Sequence, residues 1–169
     1  MADEESFAEF YRGAYPGLVI ELYAYTGDLG EAQEAAQEAF ARAWPRWDKV
    51  GSYDRPRAWV ARVGYRLAVS RWRKARNALA HLWRQGPQPD AAPPDVVSVA
   101  LVDALRLIPE KQRRAVVLHH MGGYSVAEIA AMSGAAEGTV KSWLSRGRHR
   151  LAELLADETD ETKETSRNA

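Results

Sequence analysis

The residues best placed for chemistry lie in the run SVAEIAAMSGAAEGTVKSWLSRGRHR, Ser125 to Arg150. Ser125, with Glu128 three residues on, has the spacing of a capping box, in which hydroxyl and carboxylate satisfy backbone N–H groups at a helix start. Ala130 is small where a second helix must cross closely, and Gly134 suits a tight turn after Met132. Val140 and Leu144, four residues apart, face a core. These features together predict a helix–turn–helix whose second helix enters a DNA major groove. On that helix Thr139, Lys141, Ser142, Ser145 and Arg146 avoid the Val140–Leu144 stripe, and Arg148 and Arg150 extend the positive charge. Their chemistry is recognition: Lys and Arg donate to guanine edges, and hydroxyls bond bases or phosphates. The bland alternative is a helical hairpin with a solvated basic face. Trp143 is open to packing, to DNA or to a protein partner.

Bond-making chemistry has no comparable residue set. His81, His119, His120 and His149 lack metal-ligand spacing, and neither a nucleophile–base set nor a phosphate-cradling glycine loop is present. Cysteine is absent, which excludes disulfides, thiolate metal sites and a thiol switch within the chain. No catalytic residue, metal or cofactor is expected, and the chain is not expected to be an enzyme. No apolar run approaches the roughly 18 residues of a membrane span. The opening MADEESFAEF is acidic where a signal peptide would be basic and then apolar, so a soluble, cytoplasmic protein is expected.

The elements that would position these residues are helical throughout, since apolar residues recur at helical spacing and no alternating strand pattern is evident. Phe7, Phe10, Tyr11, Ala14, Leu18 and Leu22 mark a first stripe, with a bend expected near Pro16. Asp28 suits the N-cap of a second helix, which Pro45 stops. A loop, DKVGSYDRP, leads into a long helix from about Pro56 to Ala80, proline being favourable at a first helical position. The run RQGPQPDAAPPD has four prolines and one glycine in twelve residues and reads as a semi-extended linker. The expected architecture is all-α: a small helical domain over 1–83, a Pro-rich linker over 84–96, a second helical domain over 97–155, and a disordered polar tail over 156–169.

Charge is balanced at 23 basic against 23 acidic residues, but it is not evenly spread. Met1 to Glu38 carries one Arg against nine acidic residues, and Asp54 to Arg84 nine basic residues against one Asp. Poles so separated suit two kinds of partner surface, and the acidic part is also suited to sit against the basic helix. On the long helix, at about 100° per residue, Trp59, Val60, Val63, Gly64 and Leu67 form the expected core face. Roughly opposite lie Arg62, Tyr65, Arg66, Val69, Trp72, Arg73 and Arg76. Cations that follow phosphates beside rings that accept stacked bases suit single-stranded DNA. The alternative is that Tyr65 and Trp72 pack against the first helix. On the second helix, Ala32, Ala35, Ala36, Ala39 and Phe40 share one side, implying close packing. Its outer face carries Glu34, Gln37 and Glu38, with Arg42 and Trp44 at the edge, and suits a protein surface that offers arginines, the bland alternative being a solvated helix face.

The order of these pieces, with QEAFARAW, IPEKQRRAVVLHH, YSVAEIA and GTVKSWLSRGRHRL, resembles the bacterial RNA polymerase sigma factors of the two-domain extracytoplasmic-function (ECF) type, over about Phe7 to Leu155. The resemblance implies a transcription initiation factor that binds core RNA polymerase and directs it to promoters. It implies that Glu34, Gln37, Glu38, Phe40, Arg42 and Trp44 dock on the polymerase's clamp helices. Tyr53, Arg62, Tyr65, Arg66, Trp72, Arg73 and Arg76 then meet the minus-ten element as it melts, and Thr139, Lys141, Ser142, Ser145, Arg146 and Arg148 read the minus-thirty-five element. An anti-sigma factor is an expected further partner. The chain departs from the family pattern at Ala35 and Ala36, at Arg66 (often Asn), at Ser70 (often Asp), at Ser133 (often Leu) and at Trp143 (often Arg). The rival expectation is a stand-alone helix–turn–helix regulator on duplex operator DNA, which leaves the acidic and aromatic-basic helices unexplained.

Overall fold

In the computed structural model, residues 4–79 and 98–167 are described, without the side chains of 72, 73, 75–79 and 157–167. The expected linker at 84–96 lies outside the described residues. The chain divides into two compact units, 1–94 and 95–169. Every regular element among the described residues is helical.

The first unit holds α1 (Glu4–Thr26), α2 (Leu29–Ala43), a 3-10 turn (Trp44–Arg46), a one-turn α3 (Trp47–Val50) and α4 (Pro56–Leu79). The expected loop over 48–56 is helical at its start, where α3 runs on to Val50. Helix α1 runs unbroken through Pro16, an exposed position where water can take the carbonyl that proline leaves without a donor. Asp28 caps α2, its side chain accepting from the Glu31 N–H at 2.9 Å. Helix α2 packs against both α1 and α4. The reason is its alanine side: Ala32, Ala35, Ala36, Ala39 and Ala43 have no exposed surface. Small side chains let neighbouring axes approach, and α4 answers with Gly64, where an added Cβ would lie 3.2 Å from Leu22 Cδ1 and 3.8 Å from Ala39 Cβ. At the other end Phe7, Phe10, Tyr11 and Tyr15 of α1 surround the Phe40 ring, with centroid separations from 4.9 to 6.4 Å.

The second unit holds α5 (Val99–Arg106), α6 (Glu110–His120), α7 (Val126–Ser133) and α8 (Glu137–Arg167). Ser98 caps α5, its hydroxyl accepting from the Leu101 N–H at 3.1 Å. Helix α8 packs on α5, α6 and α7 and is the spine of this unit. Its crossing with α6 depends on Gly147, where an added Cβ would stand 2.7 Å from Val116 Cγ2. Helix α8 continues to Arg167, through most of the stretch 156–169 expected as a polar tail. After Gly147 the sequence has neither glycine nor proline to stop it.

Candidate docking and nucleic-acid interfaces

Helix α2 turns its alanines inward, so its other face is left to solvent. Glu34 and Gln37 are exposed and Glu38 is half-exposed. Glu38 Oε1 accepts from Arg42 Nε at 2.8 Å, a pair one turn apart. Glu34 Oε2 accepts from Arg71 Nη1 of α4 at 2.9 Å. Trp44 is 39% exposed although its ring lies 4.9 Å from Phe7, leaving an aromatic edge at the end of the acidic face. Phe40 does not belong to this surface. It is 2% exposed at the centre of the aromatic cluster, so the expectation that it docks a partner is corrected: its ring is consumed by the fold. Gln33, which the sequence reading passed over, is exposed one turn before Gln37.

Helix α4 is rotated from the expected orientation. Its buried side is Val60, Ala61, Gly64, Tyr65 and Ala68, whereas Trp59, Val63 and Leu67 are only half-buried. Tyr65 has no exposed surface and packs 5.5 Å from Tyr25 of α1. Its expected contact with melted DNA is therefore corrected in favour of packing against the first helix. The alanines of α2 require small partners, and Ala61, Gly64 and Ala68 supply them; that brings Tyr65 inward and swings Trp59 out. The signal was present as a small-residue row complementary to the alanines of α2. It is weaker than the large apolar row one step round the helix.

The displaced apolar row lines an open recess of about 720 Å³. Trp59, Val63 and Leu67 form one row along it, and Arg66, Ser70 and Lys74 the next, each at four-residue spacing. Arg42 and Arg46 close it from the end of α2 and the 3-10 turn. Every charged side chain lining the recess is cationic. Arg62, Arg66 and Tyr53 are exposed, as the sequence predicts. The side chains of Trp72, Arg73 and Arg76, also expected at the minus-ten element, lie outside the described residues.

The acidic and basic helices are tied at a second point. Glu21 of α1 is buried and accepts a hydrogen bond from Arg57 Nη2 of α4. Burial pushes its carboxyl above the ordinary range, and the Arg57 guanidinium opposes that shift without cancelling it.

In the second unit the predicted helix–turn–helix is present in detail. The Ser125 hydroxyl accepts from the Glu128 N–H at 3.2 Å, and the Glu128 carboxylate accepts from the Ser125 N–H at 2.8 Å. Gly134 ends α7 at φ +65°, a conformation that costs glycine little. Val140 and Leu144 are buried, whereas Thr139, Lys141, Ser142, Ser145, Arg146 and Arg148 are all exposed. Ser142, Ser145 and Arg146 lie nearest the outward line of α8, with Thr139 on one flank and Lys141 and Arg148 on the other. His149 shares that outward line and was not among the expected contacts; it pairs with Glu153 at 3.4 Å. Trp143 is half-buried, with Lys111 Nζ of α6 5.8 Å from its ring.

Among the described residues no group of three or more His, Asp or Glu could hold a metal ion, and no helix is long and apolar enough to cross a membrane.

Comparison with known proteins matches both units. The family model for sigma-70 region 2 covers residues 10–78, and that for sigma-70 region 4 covers residues 98–151. The RNA polymerase sigma-E factor of Streptomyces coelicolor is 31% identical over 157 residues, 92% of this chain and 89% of that protein. The ECF RNA polymerase sigma factor SigM of Mycobacterium tuberculosis is 37% identical over 161 residues, 90% of this chain and 79% of that protein. Among solved structures, the sigma factor RpoE of Bartonella quintana, crystallised with the anti-sigma factor NepR, superposes with a TM-score of 0.73 at 28% identity, covering 89% of this chain and 96% of that one.

Proposed function

This chain belongs to the sigma-70 family of RNA polymerase sigma factors, in its ECF branch, and from that premise we propose a division of labour among its surfaces. It is a transcription initiation factor that brings core RNA polymerase to specific promoters. Sigma factors are in general DNA-binding initiation factors without catalysis of their own, and we assign no bond-making step to this one. Its place of action is the cytoplasm, where promoter DNA is.

The outward face of α2, Glu34, Gln37 and Glu38 with Arg42 and Trp44 at its edge, docks on core polymerase. Tyr53, Arg62 and Arg66, with Trp72, Arg73 and Arg76 further along α4, engage the minus-ten element. Opening that element costs about 1.4 kcal/mol per base-pair step on average. Unstacked bases captured on protein offset the loss, at about 1–3 kcal/mol for each aromatic stack. Thr139, Lys141, Ser142, Ser145, Arg146 and Arg148 read the minus-thirty-five element as duplex. Each DNA contact is weak alone; once polymerase fixes their separation, the second contact forms at high effective concentration. An anti-sigma protein that covers one of these surfaces is a further partner, by analogy with the Bartonella complex.

The observation that carries this reading is that the first unit presents both an acid-bearing face on α2 and a cationic recess, lined by α4 and the end of α2, with no acidic side chain in its lining. The test is co-elution of the chain with core polymerase, followed by run-off transcription from a genomic fragment pool. Co-elution with new, discrete start sites is the expected result. Specific duplex binding by the chain alone, with no polymerase association, would instead identify a stand-alone regulator.

A further inference from the structure

Resting on the assignment of Tyr53 to the minus-ten element, we propose that Glu21 is a positioning residue for promoter selection: through Arg57 it fixes the turn that presents Tyr53.

The turn between α3 and α4 is held differently at its two ends. On the near side Val50 is buried, the Tyr53 N–H donates to the Val50 carbonyl at 3.2 Å, and the Ser52 hydroxyl donates to the Lys49 carbonyl at 2.8 Å. Beyond Val50, none of residues 51–59 is buried, and 51–55 are exposed. The next core side chain is Val60, more than a turn into α4. On this far side the Ala58 N–H donates to the Arg55 carbonyl at 3.0 Å, a bond within the segment that ties it to no other helix. Arg57 makes the tie across helices: its Nη2 donates to Oε1 of Glu21 on α1, a residue 2% exposed.

The guanidinium crosses α1 at Gly17, one turn before Glu21, where an added Cβ would lie 3.1 Å from Arg57 Nη2. Arg57 also stands in the first turn of α4, where the helix dipole disfavours a cation and no acidic residue is present. Glu21 supplies that acid from α1, so one carboxylate fixes both the guanidinium and the helix end that carries it. Stability does not account for the arrangement. Glu21 Oε2 is buried without a hydrogen-bond partner among the described residues, and burial raises the carboxyl's affinity for a proton despite the guanidinium. A buried ion pair with an unmet oxygen adds little to folding that a neutral side chain of the same shape would not. What it supplies is one defined distance and direction.

The test uses holoenzyme assembled from core polymerase and the full chain, with start sites from a genomic pool defining the promoters. Initiation is compared at neutral pH between the preferred minus-ten sequence and its single-base variants. Tyr53→Ala, at an exposed position, should lower this discrimination. Glu21→Gln keeps the shape of the side chain and removes its charge. It should be no less stable than the wild type in urea at neutral pH, should co-elute with polymerase, and should lose discrimination by about threefold or more. Arg57→Lys keeps the charge, loses the fork, and should lose discrimination likewise. In the Tyr53→Ala background Glu21→Gln should add no further loss, because it acts through that turn.

Unchanged discrimination in Tyr53→Ala, or in both Glu21→Gln and Arg57→Lys, would overturn the assignment. So would a Glu21→Gln loss that adds in full to that of Tyr53→Ala, or one accompanied by a lowered unfolding free energy, which would make Glu21 a structural residue. In each case the sigma function stands. The absence of any polymerase-dependent start site would instead remove the functional reading, and this inference with it.

Discussion

Glu21 and Arg146 are charged residues in opposite settings, and their contributions differ accordingly. The Glu21 carboxyl is buried and its folded-state affinity for a proton is raised, burial outweighing the neighbouring Arg57 guanidinium. A raised carboxyl value means that its stability contribution is complete below the unfolded value, 4.5, and is lost as pH rises through the folded value. Glu21→Gln removes this titration. Urea unfolding at several pH values from 4.5 to neutrality should show the variant gaining on the wild type as pH rises; a constant difference would mean that Arg57 fully compensates the buried charge. Arg146 is exposed on the outward side of α8 and has no such folding cost. Arg146→Ala should leave the fold intact and weaken initiation by about 1–3 kcal/mol at promoters with the preferred upstream base. Equal loss on every upstream sequence, measured by run-off transcription, would make it a phosphate contact.

At the scale of elements, the α6–α8 crossing is set by Gly147. A methyl group there would stand 2.7 Å from Val116 Cγ2 and 3.3 Å from the Gln112 carbonyl, and valine is stiff at χ1. Alanine in place of glycine ordinarily favours a helix by about 0.5–1 kcal/mol, but overpacking costs about 1–3 kcal/mol. Gly147→Ala should therefore destabilise the chain in denaturant unfolding, and adding Val116→Ala should reverse the steric part; a stabilised single variant would show that the crossing can widen freely. The helix–turn–helix next to this crossing was legible in sequence because its capping box and its Gly134 turn act within a few residues. The orientation of α4 was not. Large and small apolar residues occupy adjacent rows of that helix, and periodicity alone favoured the row with more apolar surface. Phe40 was misassigned for a related reason: it lies within the motif that resembles a docking segment, but its ring points to the aromatic side chains of α1.

For the whole molecule, the proposed division of labour gives the two units different kinds of contact, which polymerase would make act together. Glu38→Arg tests the first link. It exchanges a favourable pair with Arg42 for a like-charge pair one turn apart, a fold cost of only about 0.2–0.5 kcal/mol. The variant should remain helical by circular dichroism and lose co-elution with core polymerase. Unchanged co-elution would place the docking surface elsewhere.

By itself the sequence determined the all-helical class, most helix boundaries, the linker's composition, the two charge poles and the exposed polar and basic edge of α8. Each follows from interactions along one chain segment: capping groups, helix breakers, and charges at helical spacing. Only the tertiary structure decided that Tyr65 is a core residue and that Trp59, Val63 and Leu67 line a cationic recess. Which side of an apolar helix is buried depends on the shape of the surface opposite it. Here that surface is the alanine face of α2, which accepts Ala61, Gly64 and Ala68 and leaves the larger row outside.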